Sequence, residues 1–320
     1  MDILVLGSLN MDLVARVERL PQPGETLMGD RFVTVPGGKG ANQAVAAARL
    51  GARVAMVGRV GKDAFGRELR SQLQTENIDT RSLNVSSRQP SGTALITVAP
   101  NNNQIVVVSG ANSEVGDVEL DQLTSSFEQV KVLLLQFEIP LKVVQRAAAL
   151  AREAGLLVIV DPAPAQGKLS TEFCKHISVL TPNQTEAELL TGINVVDMES
   201  AIAAATNLHQ QGIETVIVKL GKLGCACVGT AGTFEFPAFG VDVVDTVAAG
   251  DAFNGGLAAA ICASKATSLG VGETLLGGDR ALLRSAIRYA NAVAALAVTR
   301  SGAQGAMPTA AEVNVFLTDN

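Results

Sequence analysis

The chain has 320 residues and a net charge of −6, from 25 Lys and Arg against 31 Asp and Glu. It is 48 % apolar and 18 % charged, the balance of a globular chain of one or two domains rather than a disordered one. Acidity and 3 % aromatics argue against nucleic acid as a partner, and two histidines, His176 and His209, exclude a multi-histidine metal site. Chemistry here must rest on carboxylates, amides and backbone.

In chain order, residues 3–6 read as a short buried strand with no basic segment before it, so no signal peptide is expected. A helix over 41–50, stopped by Gly51, leads to a strand at 54–57. Strands at 132–135, 156–160, 178–181 and 215–219 follow, with helices over 141–154, 186–190 and 198–211. Strands apolar on both faces and separated by helices predict a mainly parallel sheet covered on both sides, an α/β fold.

Two segments break the rhythm. Residues 13–36 and 93–109 carry Val, Thr and Ile runs without helical period, and the second reads as a hairpin turning at Pro100 to Asn103. An isolated hairpin is marginal in water, so both excursions are expected to form one small β-rich flap. No apolar run reaches the eighteen or so residues of a membrane span. The four cysteines (Cys174, Cys225, Cys227, Cys262) form no C-x-x-C, and buried free thiols of a reducing cytoplasm are expected. Cys225 and Cys227, in a strand-like stretch, are expected on opposite faces.

The strongest motif is Asp245-Thr246-Val247-Ala248-Ala249-Gly250-Asp251, running into an Ala-rich helix. Backbone amides of Ala248 to Asp251 would lie free at its N-terminus, an anion site. Asp251 beside such a site is placed to take the proton of a hydroxyl during phosphoryl transfer. The second motif, Gly37-Gly38-Lys39-Gly40-Ala41-Asn42-Gln43-Ala44, is no Walker A loop, because none of the Gly-Lys pairs (Lys39, Lys62, Lys168, Lys222) precedes Ser or Thr. Its Lys39 and Asn42 suit polyol hydroxyls. Asn10, Asp12, Glu138, Asn183 and the Gly-rich run from Lys219 to Gly224 each follow a strand, where open α/β sheets bind ligands.

With these motifs the chain resembles the ribokinase/PfkB family of carbohydrate kinases over its whole length. Gly37 to Ala44 resembles the family's first signature, Asp245 to Asp251 its second, and Asn183-Gln184-Thr185-Glu186 its N-x-x-E motif. The resemblance implies one domain, 1–320, with a three-layer α/β/α core, a mainly parallel central sheet and a small β-rich lid from about 11–36 and 91–110. It implies an ATP-dependent kinase that phosphorylates D-ribose at O5. Asn10, Asp12, Gly38, Lys39, Asn42 and Glu138 would hold the sugar with Asp251 as base, and the amides of Ala248, Ala249 and Gly250 would form the anion hole. Asn183, Lys219, Leu220, Gly221, Lys222, Leu223, Gly224, Gly250, Asp251 and Asn291 would meet the nucleotide.

Glu186 would organise Mg²⁺ through water. Asp245, Val247, Ala297, Arg300 and Gly302 would hold a monovalent cation, K⁺, although Ala306 stands where some relatives supply a Ser hydroxyl. The resemblance further implies a cytoplasmic homodimer joined through the lid. The stretch 266–279 is longer and richer in Gly than usual and reads as a surface insertion. Alternatives are a kinase of another sugar or nucleoside (deoxyribose, fructose, adenosine) and a non-catalytic sugar or nucleotide sensor. A nucleoside would want an aromatic wall, and Phe32 is the sole aromatic in either excursion.

Overall fold

The computed structural model describes residues 1–100, 102–264 and 279–320. Among them a nine-stranded sheet runs in the order β13-β12-β11-β10-β9-β8-β1-β4-β5. Its strands are β1 (Ile3–Leu6), β4 (Val54–Gly61), β5 (Leu83–Ser86), β8 (Val132–Gln136), β9 (Leu157–Asp161), β10 (Val179–Leu180), β11 (Thr215–Lys219), β12 (Cys225–Gly229) and β13 (Gly232–Phe236). From β11 to β5 every pairing is parallel, and only β12 and β13 add antiparallel. Residues of one strand alternate between two cores: Ile3 and Val5 enter one layer, Leu4 and Leu6 the other. The first layer is closed by α1 (Lys39–Arg49), α8 (Ala249–Ala263) and α9 (Arg280–Ala297), and the second by α4 (Leu141–Glu153) and α7 (Met198–Gln210). This is the three-layer α/β/α core with a mainly parallel sheet.

The second sheet, in the order β3-β2-β6-β7, is built from β2 (Asn10–Arg16), β3 (Arg31–Gly37), β6 (Gly92–Ala99) and β7 (Asn102–Val108). Both excursions therefore join one small lid sheet, with β2 and β6 side by side and parallel. In the expected turn, Asn101 lies outside the described residues and β7 already starts at Asn102.

Several elements differ from the sequence reading. Four-residue strand 178–181 shrinks to β10, because Pro182 follows and has no N–H to extend the ladder. The helix α2 (Ala64–Thr75) was not anticipated; Asp63 starts it by accepting the amide of Gly66. Nor were α3 (Asp117–Thr124), β5 or the β12–β13 hairpin. Cys225 and Cys227 are two apart on β12, so both thiols enter the same core layer, not opposite faces as expected. Both are buried, and burial pushes each up to about 12, so neither is a reactive thiolate. Of the stretch 266–279 only Asp279 is described; its carboxylate caps α9 by accepting the amides of Ala281 and Leu282. Among the described residues no helix is long and apolar enough to cross a membrane.

Candidate active site

Strand order reverses at β1, with β4 on one side and β8 on the other, and the polar residues gather past the carboxyl ends of these strands. Glu138, just beyond β8, accepts the Ser8 hydroxyl at 2.5 Å and the Lys39 amide at 3.1 Å through Oε2, with Asn10 Nδ2 at 3.5 Å. One carboxylate thus ties the exit of β1, the start of β2 and the start of α1. Gly38, at φ +89°, must lack a side chain: a Cβ there would lie 2.7 Å from the Asn10 amide nitrogen. Asp12, on β2, packs against Gly37, and burial with the nearby Glu138 and Asp251 charges pushes its carboxyl up to about 7.

Asp251 lies in the first turn of α8 and is 4 % exposed. Its Oδ2 accepts Asn42 Nδ2 at 3.0 Å and its Oδ1 accepts Gln43 Nε2 at 3.1 Å. Burial pushes the carboxyl up to about 6, against the opposing pull of the Lys39 charge and the two amide donors. For Lys39 burial alone would lower the ammonium, but Asp251, Asp161 and Glu138 outweigh it and raise it. The chain enters α8 through Ala248 at φ 58°, left-handed backbone that turns the helix start toward the cleft. Ala249 donates to the Thr246 carbonyl at 3.3 Å. Of the three amides expected to bind an anion, those of Ala248 and Gly250 have no protein partner among the described residues.

A cleft of about 450 Å³ lies over this turn, lined by Lys39, Asp161, Asn183, Glu186, Lys219, Gly221, Gly224, Ala248, Ala249, Gly250, Asp251 and Asn291. Asn183 and Glu186 form a reciprocal cap at the start of α6 (Gln184–Thr191): the Glu186 amide donates to Asn183 Oδ1, and the Asn183 amide to Glu186 Oε2. Burial and the Asp161 charge raise the Glu186 carboxyl. Three residues expected at the nucleotide do not line this cleft. Leu220 is buried in the core, and the turn at Gly221–Leu223 carries Lys222 and Leu223 into solvent. Only backbone of this run, at Gly221 and Gly224, faces the cleft together with Lys219.

A second cavity, about 890 Å³, opens between the lid sheet and the core, lined by Asp12, Val14, Val33, Ile96, Asp245, Val247 and Gly302 among others. Asp245 organises its floor, accepting the amides of Val247 and Gly302 at 3.0 Å each. Arg300 points its guanidinium to Glu312, Ala297 is buried with its carbonyl accepting the Arg300 amide, and Ala306 is buried.

Sequence reasoning passed over four polar groups in this network. Asp161, which ends β9, accepts Gln43 Nε2 at 3.1 Å and pairs with Lys219 Nζ at 3.2 Å. Gln136 Nε2 donates to Gln43 Oε1 at 2.7 Å, which orients the Gln43 amide toward both carboxylates. Asn112 clasps the Leu9 backbone through both its amide and carbonyl ends and donates to Asn10 Oδ1 at 2.8 Å. The strand-end rule that singled out Glu138 reaches Asp161 equally; Gln43 stood inside the quoted motif, and Asn112 has no local signal.

A buried carboxylate that accepts a proton, free amides at a helix start and ammonium groups beside them suit transfer of a phosphoryl group to an alcohol. The fold and this arrangement define a phosphotransferase of the ribokinase-like class. Residues 1–310 match the pfkB family carbohydrate kinase model, and the chain belongs to that family. It is 42 % identical to the ribokinase of Haemophilus influenzae over 98 % of both chains, and 34 % identical to the deoxyribokinase of Salmonella typhi over 100 % of both. The structure of Arabidopsis thaliana ribokinase complexed with ribose and ATP superposes with a TM-score of 0.84 at 30 % identity, covering 99 % of this chain and 98 % of that one.

Proposed function

We propose that this chain is an ATP-dependent ribokinase that transfers the γ-phosphoryl group of ATP to O5 of D-ribose. The observation that carries the reading is Asp251: a buried carboxylate with both oxygens oriented by side-chain amides, at the mouth of a cleft whose rim includes free amides of Ala248 and Gly250. Ribose would sit under the lid against Asn10, Asp12, Gly38, Lys39, Asn42 and Glu138, and ATP in the cleft over Asn183, Gly221, Gly224 and Asn291. Asp251 takes the hydroxyl proton as O5 attacks phosphorus, and the helix-start amides neutralise the charge on the moving group. Because that transition state is loose, position matters more than basicity.

Among the described residues no cluster of three or more His, Cys, Asp or Glu could hold a metal ion alone. A half-buried Glu186, one oxygen engaged by the Asn183 amide, fits a Mg²⁺ ion bound mainly by phosphates and water. Mg²⁺ would supply charge neutralisation on the phosphates. Asp245, Val247, Ala297, Arg300 and Gly302 would offer mostly backbone carbonyls to K⁺, and Asp245 links two of these segments by accepting the amides of Val247 and Gly302. The lid excludes water that would otherwise accept the phosphoryl group. Its exposed face would pair with a second copy in a cytoplasmic homodimer.

The 34 % identity to a deoxyribokinase favours a second reading, phosphorylation of 2-deoxyribose. A coupled assay of ADP release across ribose, 2-deoxyribose, hexoses and adenosine decides between them. The ribokinase reading expects the highest kcat/KM on ribose; equal or better turnover of 2-deoxyribose would overturn it.

A further inference from the structure

Lys219 closes β11 with its side chain 15 % exposed and pairs with Asp161, whose side chain is 3 % exposed. A charge taken this far out of water is retained only where it meets a partner, and Asp161 accounts for one of the three ammonium hydrogens. The other two have no partner among the described residues, and the side chain lines the cleft. The ammonium reaches the start of α8: a Cβ added at Gly250 would lie 3.2 Å from Nζ. Lys219 therefore stands where the free amides of Ala248 and Gly250 open, on the side of the cleft that holds Asp251. Gln43, donating to both Asp161 and Asp251, ties this cation to the base through two hydrogen bonds of 3.1 Å.

We infer that Lys219 is a catalytic residue that contacts the phosphoryl group in transfer, and that Asp161 is the positioning residue that holds its ammonium there. The inference rests on the kinase reading above and adds a cation to the helix-start amides. In the step, the bond from the sugar oxygen to the γ-phosphorus forms as the bond from that phosphorus to the β,γ-bridging oxygen breaks. The hydroxyl proton passes to Asp251, the bond electrons leave with ADP, and Lys219 stays protonated throughout. It stabilises the equatorial oxygens of the moving group, where charge resides in a loose transition state. A buried ammonium beside those oxygens is worth more than one in water, because the dielectric around it is low.

The test compares ATP with ADP. In Lys219→Met, calorimetry with Mg²⁺ and no sugar should show ATP affinity falling about tenfold or more while ADP affinity changes less than about twofold, as expected for one lost charge-assisted contact to the terminal phosphate. The kcat should fall by about 10² or more with the KM for ribose little changed. Asp161→Asn keeps the shape of the pair, so it tests the same contact should Lys219→Met fail to fold, and it should move ATP affinity and kcat in the same direction by less. Equal weakening of ATP and ADP, or an unchanged kcat, would overturn the inference. The binding comparison needs no sugar, so a failure of the ribose reading in the assay above is distinguishable from a failure here.

Discussion

A carboxylate that must be ionised to accept a proton is held by this chain where ionisation is expensive. Burial raises Asp251 to about 6, while the Asn42 and Gln43 donors hold it in the ionised form's geometry. On the proposed reading the base works deprotonated, and its pKa lies above the ordinary carboxylate value, so activity should be lost as pH falls through about 6. Asp12 is raised to about 7; on the proposed reading, where it holds the sugar as a carboxylate, both groups must be ionised and the acid limb of kcat/KM should have its midpoint at about 7, while Asp251 alone would put it at about 6. A pH–rate profile with its midpoint near 4 would contradict this. Asp251→Asn keeps the shape and removes the base; turnover should fall by about 10² or more while ribose binding, followed by calorimetry, stays within a few-fold.

At the scale of the element, the proposed chemistry converges on the start of α8. Ala248 occupies left-handed backbone at φ 58°, which costs a non-glycine residue roughly 1 kcal/mol. Ala248→Gly should therefore raise stability by about 0.5–1 kcal/mol in urea melts, since glycine adopts this φ without a Cβ clash. Gly38→Ala should act in the opposite sense. Its Cβ would strike the Asn10 amide, so ribose KM should rise together with a fall in stability of about 1 kcal/mol or more. The helix start was legible because small residues followed by an acidic first turn are local. The β13 edge was not, because its short alternation means nothing until β12 is there to pair with.

At the scale of the molecule, the lid sheet is apolar on both faces. One face lines the 890 Å³ cavity with Val14, Val33 and Ile96; on the other, Phe32, Leu95 and Val106 are 65 %, 48 % and 53 % exposed. Exposed apolar side chains on a two-sided sheet are the mark of an interaction surface. Leu95 and Val106 pair across β6 and β7, so Leu95→Asp with Val106→Asp should convert the expected dimer to monomers in light scattering and raise the KM for ribose. The K⁺ assignment is also a property of the whole arrangement, since Asp245 and Gly302 come together from loops far apart in sequence. Rates several-fold higher in K⁺ than in Na⁺ or a large organic cation are expected; identical rates in all three would remove it.

From its residues alone the chain determined its α/β class, its small β-rich excursions and the candidate base, because alternation, helical period and a helix-start motif are short-range properties. Scarcity of histidine and aromatics already pointed to carboxylates, amides and backbone. Only the tertiary structure tied Gln43 to both Asp161 and Asp251 and turned Leu220, Lys222 and Leu223 away from the cleft. Such contacts join residues more than a hundred positions apart, as between Gln43 and Asp251. No local pattern encodes them, because what selects the partner is burial: a carboxylate taken out of water must find its donors wherever the fold places them.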